Sequence, residues 1–171
     1  VQLPLQEGHM AQGDMFLRVE GSKQGLIKGE SADAAHTGEI DLLSWSWGMD
    51  GSVSAFGQAT ARTTLQELIV FKRVDSASTA LMSALRNNEV IKKAVLVARK
   101  AGGAAPVEYF KMTMEKARIT AHRINGSDGS PELREEVHIA FWKVQIEYRP
   151  QDSGGGGRGA HTFDAEVSPQ V

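Results

Sequence analysis

Most of the chain alternates apolar and polar residues with a period of two, the signature of strands with one face in a core. Met15–Glu20 reads as a first strand, ended by Gly21 and a polar loop to Gly38. Glu39–Met49 reads as a second, with Leu43, Trp45 and Trp47 on one face and Leu42, Ser44 and Ser46 on the other. Two of the three tryptophans thus sit one residue apart on a face suited to a dry core, opposite a face of small hydroxyls. Asp50–Arg62, rich in Gly, Ser, Ala and Thr and without periodicity, reads as a long exposed loop, including Gly51 and Gly57. Thr63–Val74 is apolar on both faces at Leu65, Leu68, Ile69, Val70 and Phe71, and is read as a strand covered on both sides.

A helix follows, capped by Asp75 or Ser76 and running to about Asn87, with Leu81, Met82 and Leu85 at helical spacing. Ala94–Lys100 is a short strand ending at Ala101-Gly102-Gly103. Two long strands, Val107–Ile124 and Glu135–Arg149, flank the turn-forming run Asn125–Pro131. Both change apolar phase partway. Val137, Ile139 and Phe141 give way to Trp142, Val144, Ile146 and Tyr148, and Phe110, Met112 and Met114 give way to Ala117, Ile119 and Ala121. A phase change marks a bulge, or a strand passing between two environments. A twisted sandwich with a bulge and a small barrel whose strands reach a neighbouring subunit both satisfy it. Ser153–Gly159 is a glycine-rich linker, and His161–Val167 reads as a last short strand.

At 171 residues the chain has the size of one domain with its own core. A net charge of −2 and a pI near 6.2 give no electrostatic footprint for nucleic acid or an anionic membrane. The absence of cysteine excludes disulfides, iron–sulfur clusters and thiolate zinc sites. No apolar run approaches the roughly 20 residues that span a bilayer. Val1–His9 has no basic or apolar region of a secretory signal, and Gly8-His9-Met10 is read as an expression scar ahead of a start at Met10.

No constellation for catalysis stands out. His9, His36, His122, His138 and His161 are isolated and are read as structural or surface histidines. No serine occupies a Gly-x-Ser-x-Gly elbow, and Gly154–Gly157 lacks the Lys-Ser/Thr of a phosphate loop. The carboxylates Glu135-Glu136 and Glu30/Asp33 are read as solvated groups. The expectation is a non-enzymatic protein without cofactor or metal.

Asp14-Met15-Phe16-Leu17, Lys28-Gly29-Glu30-Ser31, Glu39–Met49 with its Trp-Ser-Trp, Arg99–Gly103 and Val107-Glu108-Tyr109, in this order and spacing, resemble the haemolysin co-regulated protein (Hcp) family, the tube subunits of type VI secretion. The likeness spans about Asp14 to Pro150 and departs in Asp50–Arg62 and after Gln151. It implies a mainly β fold, a small two-sheet β-barrel over residues 10–150 with one flanking short α-helix, followed by a linker and tail over 151–171. It also implies a homo-hexameric ring, ring-on-ring stacking into a tube, a contractile sheath, a spike protein at the tip and small effectors in the lumen. Such a protein assembles in the bacterial cytoplasm and leaves the cell without a signal peptide. On this frame Ser44 and Ser46 are lumen candidates. Lys28, Gly29, Glu30, Ser31, Gly51 and Gly57 are stacking-loop candidates, and Trp45, Trp47 and Trp142 are core anchors. A phage-type tail-tube protein, or a monomeric β-barrel ligand-binding module or enzyme, are the alternatives.

Overall fold

A computed structural model describes residues 14–53, 59–100, 107–150 and 159–167. Twelve elements follow one another: β1 (Met15–Gly21), β2 (Gly25–Ile27), β3 (Ile40–Asp41), β4 (Ser44–Ser46), β5 (Met49–Val53), β6 (Ala59–Leu65), β7 (Leu68–Arg73), α1 (Ser78–Arg86), β8 (Ile91–Lys100), β9 (Val107–Asn125), β10 (Arg134–Tyr148) and β11 (His161–Glu166). The expected mainly β fold with one short helix is present.

Nine strands form one antiparallel sheet in the order β2-β1-β8-β9-β10-β7-β4, with β3 beside β1 and β11 beside β10. The two longest strands carry two sets of neighbours. Arg134–Ile139 of β10 pairs with β7, whereas Lys143–Tyr148 pairs with β11. Between these halves the buried face changes from Val137, Ile139 and Phe141 to Val144, and on β9 from Met112 and Met114 to Ala117 and Ile119. Lys116 lies at that level with φ +50°, a left-handed conformation rare for a non-glycine residue. The register shift falls nearby, between His138 and Ile139. The phase change is thus a local reorientation where long strands pass from one partner set to another.

Strand pairing among the described residues does not close this sheet into a barrel. Instead the segment Ile40–Ser46 lies across both sides of the core, pairing β1 through β3 and β7 through β4. Leu42 N–H donates to Met15 O at 3.0 Å and Leu43 N–H to Phe71 O at 2.7 Å. The single tryptophan strand expected over Glu39–Met49 is therefore broken into β3 and β4, which bond to different strands, and its last residue, Met49, opens β5. Leu17, Ile40, Leu68, Val70, Leu81, Leu96, Met112, Met114 and Ile139 fill the enclosed core.

Two other expectations are corrected. Asp50–Arg62 is not a plain loop: β5 and β6 pair antiparallel, Met49 with Leu65 and Gly51 with Thr63. Backbone pairing makes this hairpin without the apolar alternation that would have marked it. Thr63–Val74 is likewise not one strand, since Gln66 and Glu67 separate β6 from β7. The helix begins at Ser78, after a turn in which Asp75 Oδ1 accepts from Ala77 N–H at 3.0 Å. It ends with Asn88 left-handed at φ +50°, Asn88 N–H donating to Leu85 O and Glu89 N–H to Ala84 O. That pair of bonds is a Schellman exit with asparagine where glycine is commoner.

A rung of alternating charge runs across β1, β8, β9, β10 and β11 in this register. Glu20 faces Lys93, Lys93 faces Glu115, Glu115 faces Lys143, and Lys143 faces Glu166. Opposite charges alternate at every step, and slipping any strand by one residue would move its side chain to the other face.

Candidate interaction surfaces

The tryptophan segment supplies the first surface. Ser44 and Ser46 are exposed on β4, opposite Phe71 and Ile69 of β7, while Trp45 between them is half-buried. Trp45 stacks on Phe110 at a ring separation of 5.1 Å, and Trp47 packs near Phe141 while its Nε1–H donates to Gln66 O at 2.8 Å. The alternation is that of a strand with one wet face. Trp142 is different. It is 39% exposed, at the level where β10 changes phase, and is not part of the core of this chain. The same β10–β11 region exposes Tyr148, Phe163 and Val167.

The second surface is the loop from Lys28 to Glu39, more built than a solvated loop. Gly29 N–H donates to Gly38 O and Ser31 N–H to Glu39 O. A Cβ on Gly29 would stand 2.5 Å from Glu39 O, so glycine is required by the close approach. At one end Glu30 Oε2 accepts from Ser76 N–H at 3.1 Å, and Ser76 Oγ–H donates to Lys28 O at 3.1 Å. These bonds tie the loop to the turn before α1. Lys28 and Glu30 are exposed, whereas Ser31 is buried.

At its other end the loop is held by charge. Asp33 is buried and takes both terminal nitrogens of the Arg99 guanidinium, one at 2.9 Å. The hydrogen bond from Arg99 holds the Asp33 carboxyl below the usual carboxylate range against the opposing effect of burial. The same pair raises Arg99. His36 stacks on Phe16 at 4.2 Å and 9°, and Arg99 covers Phe16 at 4.8 Å. Its Nδ1 lies 2.7 Å from Glu39 and its Nε2 2.8 Å from Glu108. Nearby, burial pushes the Asp41 carboxyl up despite a hydrogen bond from Ser31. Reading Asp33 as a solvated acid is therefore corrected: Arg99, 66 residues away, supplies its partner.

The third polar cluster lies beneath the start of α1. Lys72 and Glu135 pair with their side chains fully buried. Lys72 Nζ also donates to Asp75 at 2.7 Å and to Arg73 O at 2.8 Å. Glu135 also accepts from Ser78 Oγ–H at 2.7 Å and contacts His122 Nε2 at 2.6 Å. Glu135 is thus an interior acid; only Glu136 of that pair reaches solvent. Neither member of the Lys72–Glu135 pair had a sequence signal.

The hairpin β5–β6 is the third candidate surface, carrying Gly51 and the exposed Met49. At its base Gln66 N–H donates to Gly48 O at 2.9 Å and Gln66 Nε2 donates to Asp50 at 2.6 Å. Gly57 lies outside the described residues. Among the described residues no group of three or more His, Asp or Glu is arranged to hold a metal ion. No described helix is long and apolar enough to cross a membrane.

Comparison with known proteins gives one consistent picture. Residues 16–148 match the family described as type VI secretion system effector, Hcp. The protein hcp1 of Pseudomonas aeruginosa is 36% identical over 145 residues, covering 83% of this chain and 86% of its own. A type VI secretion system effector from Yersinia pestis superposes with a TM-score of 0.71 at 29% identity, covering 90% of this chain and 100% of that one. Hcp1 from Salmonella typhimurium does so with 0.67 at 31% identity, covering 90% and 94%.

Proposed function

Because the chain belongs to the Hcp family of type VI secretion, we propose that it works by assembly, as the subunit of a hexameric ring that stacks into an expelled tube. On this reading residues 10–150 are the Hcp-like body, and 151–171 are a linker and a tail whose strand β11 supplies one side of the contact between copies. The observation that carries the ring is a pair of sheet edges, β2 beyond β1 and β11 beyond the second half of β10. Along β2-β1-β8-β9-β10-β11 every pairing is antiparallel, so β2 and β11 run in opposite directions. A copy related by rotation sets its β2 antiparallel to the first copy's β11. The charges also suit: β11 carries Asp164 and Glu166, and β2 is flanked by Lys23 and Lys28. Such a contact is head-to-tail and forms a closed ring when the rotation closes.

The built loop Lys28–Ser31 and the hairpin containing Gly51 are the stacking elements. Ser44 and Ser46 face the lumen, where small effectors are carried and shielded. Sheath and spike proteins are the remaining partners, and the assembled tube leaves the bacterial cytoplasm for the medium or a target cell. Deleting residues 51–58 leaves rings and removes tubes in electron micrographs; unchanged tubes would exclude the hairpin from stacking. Ser46→Gln keeps the ring and weakens retention of effectors in a pull-down, and undiminished retention removes Ser46 from the cargo surface.

A further inference from the structure

His36 is placed between two acids, and both of its ring nitrogens are engaged: Nδ1 by Glu39 at 2.7 Å, Nε2 by Glu108 at 2.8 Å. An ionised carboxylate only accepts hydrogen bonds, whereas a neutral imidazole has one donor and one acceptor. Both contacts are hydrogen bonds only when both nitrogens carry a proton. With one proton gone, a ring lone pair faces a carboxylate on one side.

We infer that His36 is a proton-dependent clasp joining the loop of residues 28–39 to the start of β9. The groups around it show which contact yields when a ring proton is lost. Asp33 and Glu39 face it from the loop, Phe16 from β1, Arg99 from β8 and Glu108 from β9, while the exposed Asp14 lies 3.9 Å from Arg99. Three carboxylates thus stand beside the ring, and the one guanidinium, Arg99, is already committed to Asp33. The imidazole also lies flat on Phe16, where a cation on a ring face is favoured. Glu39 is three residues away and largely covered, whereas the Glu108 side chain is 46% exposed. A ring left with one proton keeps Glu39, and Glu108 turns to water.

The His36–Glu108 contact is the one that crosses from the loop to β9, so its loss frees the loop on that side. His138 makes a looser version, 2.6 Å from Glu136 and 3.3 Å from an exposed Glu67. It joins no buried loop, and the effect belongs to His36.

The test is the melting temperature of the full chain, wild type against Glu108→Gln, at equal protein concentration and two pH values. Glutamine can accept from N–H or donate to a ring lone pair, so its contact does not follow the ring proton. Other titrating groups cancel in the difference. The expected gap is about 3–6 °C in favour of wild type at about pH 5.5. It closes to within about 1 °C at about pH 8. In a His36→Gln background the gap does not vary with pH. A gap equal at both pH values, or wider at the higher one, overturns the clasp.

Nitrogen-detected NMR of the His36 ring gives an independent reading in the unmutated protein. Two protonated ring nitrogens at about pH 5.5 and one at about pH 8 support the clasp, and an unchanged proton count overturns it. Neither measurement needs a ring or a tube, so the clasp and the assembly reading stand or fall separately.

Discussion

Replacing Glu135 by leucine removes the acid that closes the polar cluster under α1. Lys72 is then left at a position with no solvent access, with Asp75 as its remaining carboxylate partner at 2.7 Å. His122 and Ser78 lose the acceptor they now hold at 2.6 and 2.7 Å. Breaking a buried pair from one side destabilises by about 3–5 kcal/mol. Asp75 moderates the lysine's loss and remains within reach of Ser78, and His122, left without its acceptor, adds roughly 1 kcal/mol, so the total stays within that range.

With a urea slope of about 1–3 kcal/mol/M for a small domain, the unfolding midpoint falls by at least about 1 M. The assay is urea unfolding at one fixed protein concentration, because an oligomer's apparent stability depends on concentration. The double variant Lys72→Met, Glu135→Leu separates pairing from size. It removes both charges together and recovers the part of the loss due to the unpaired lysine, since an apolar replacement of a buried ion pair is often neutral, whereas the loss at His122 remains. A single-variant loss under about 1 kcal/mol, or a double variant no better than the sum of the two singles, would refute the assignment of Lys72 and Glu135 as a mutually dependent pair.

Two further outcomes follow from the same geometry. The Asp33 carboxyl is held low by Arg99, so its contribution is present above the ordinary carboxylate range and is lost as pH falls through its lowered native value. Asp33→Asn therefore lowers the melting temperature near neutrality and flattens the acid limb of a melting series from about pH 2 to 6; an acid limb identical to wild type contradicts this. Trp45→Ala loses the stack on Phe110 and part of the core wall, about 3 kcal/mol, the low end for a tryptophan truncation because the ring is half-buried. Trp142→Ala, at an exposed position, costs under about 1 kcal/mol in the same urea assay, and equal losses for the two would contradict their different placement.

What could be read from the sequence is what depends on near neighbours. The period of two located the long strands, and the phase change at Trp142 located the level where Lys116 turns left-handed. The helical spacing of Leu81, Met82 and Leu85 carried the helix to about Asn87, its C-cap. Distant partners were not legible. Glu135 looks like a strand-start acid until Lys72, 63 residues away, is placed against it, and Asp33 looks solvated until Arg99 arrives. The hairpin β5–β6 is held by backbone bonds between Gly, Ser, Ala and Thr residues that carry no apolar pattern. Trp142 misled for the opposite reason: a large apolar residue in strand phase is expected inside, but here the phase turns over at that residue.

For the candidate surfaces, alternation alone separated Ser44 and Ser46 from Trp45. The ties that hold the loop from Lys28 to Glu39 were not readable, because they come from Ser76, Arg99 and Glu108, all far along the chain.

The central claim, assembly into a ring, is tested most directly by the solution mass of the purified chain, by light scattering on a gel-filtration column with the peak imaged in negative stain. The expected result is a mass of about six subunits and open rings, through head-to-tail contact of β11 and β2. A monomer without rings at every concentration tried would contradict it.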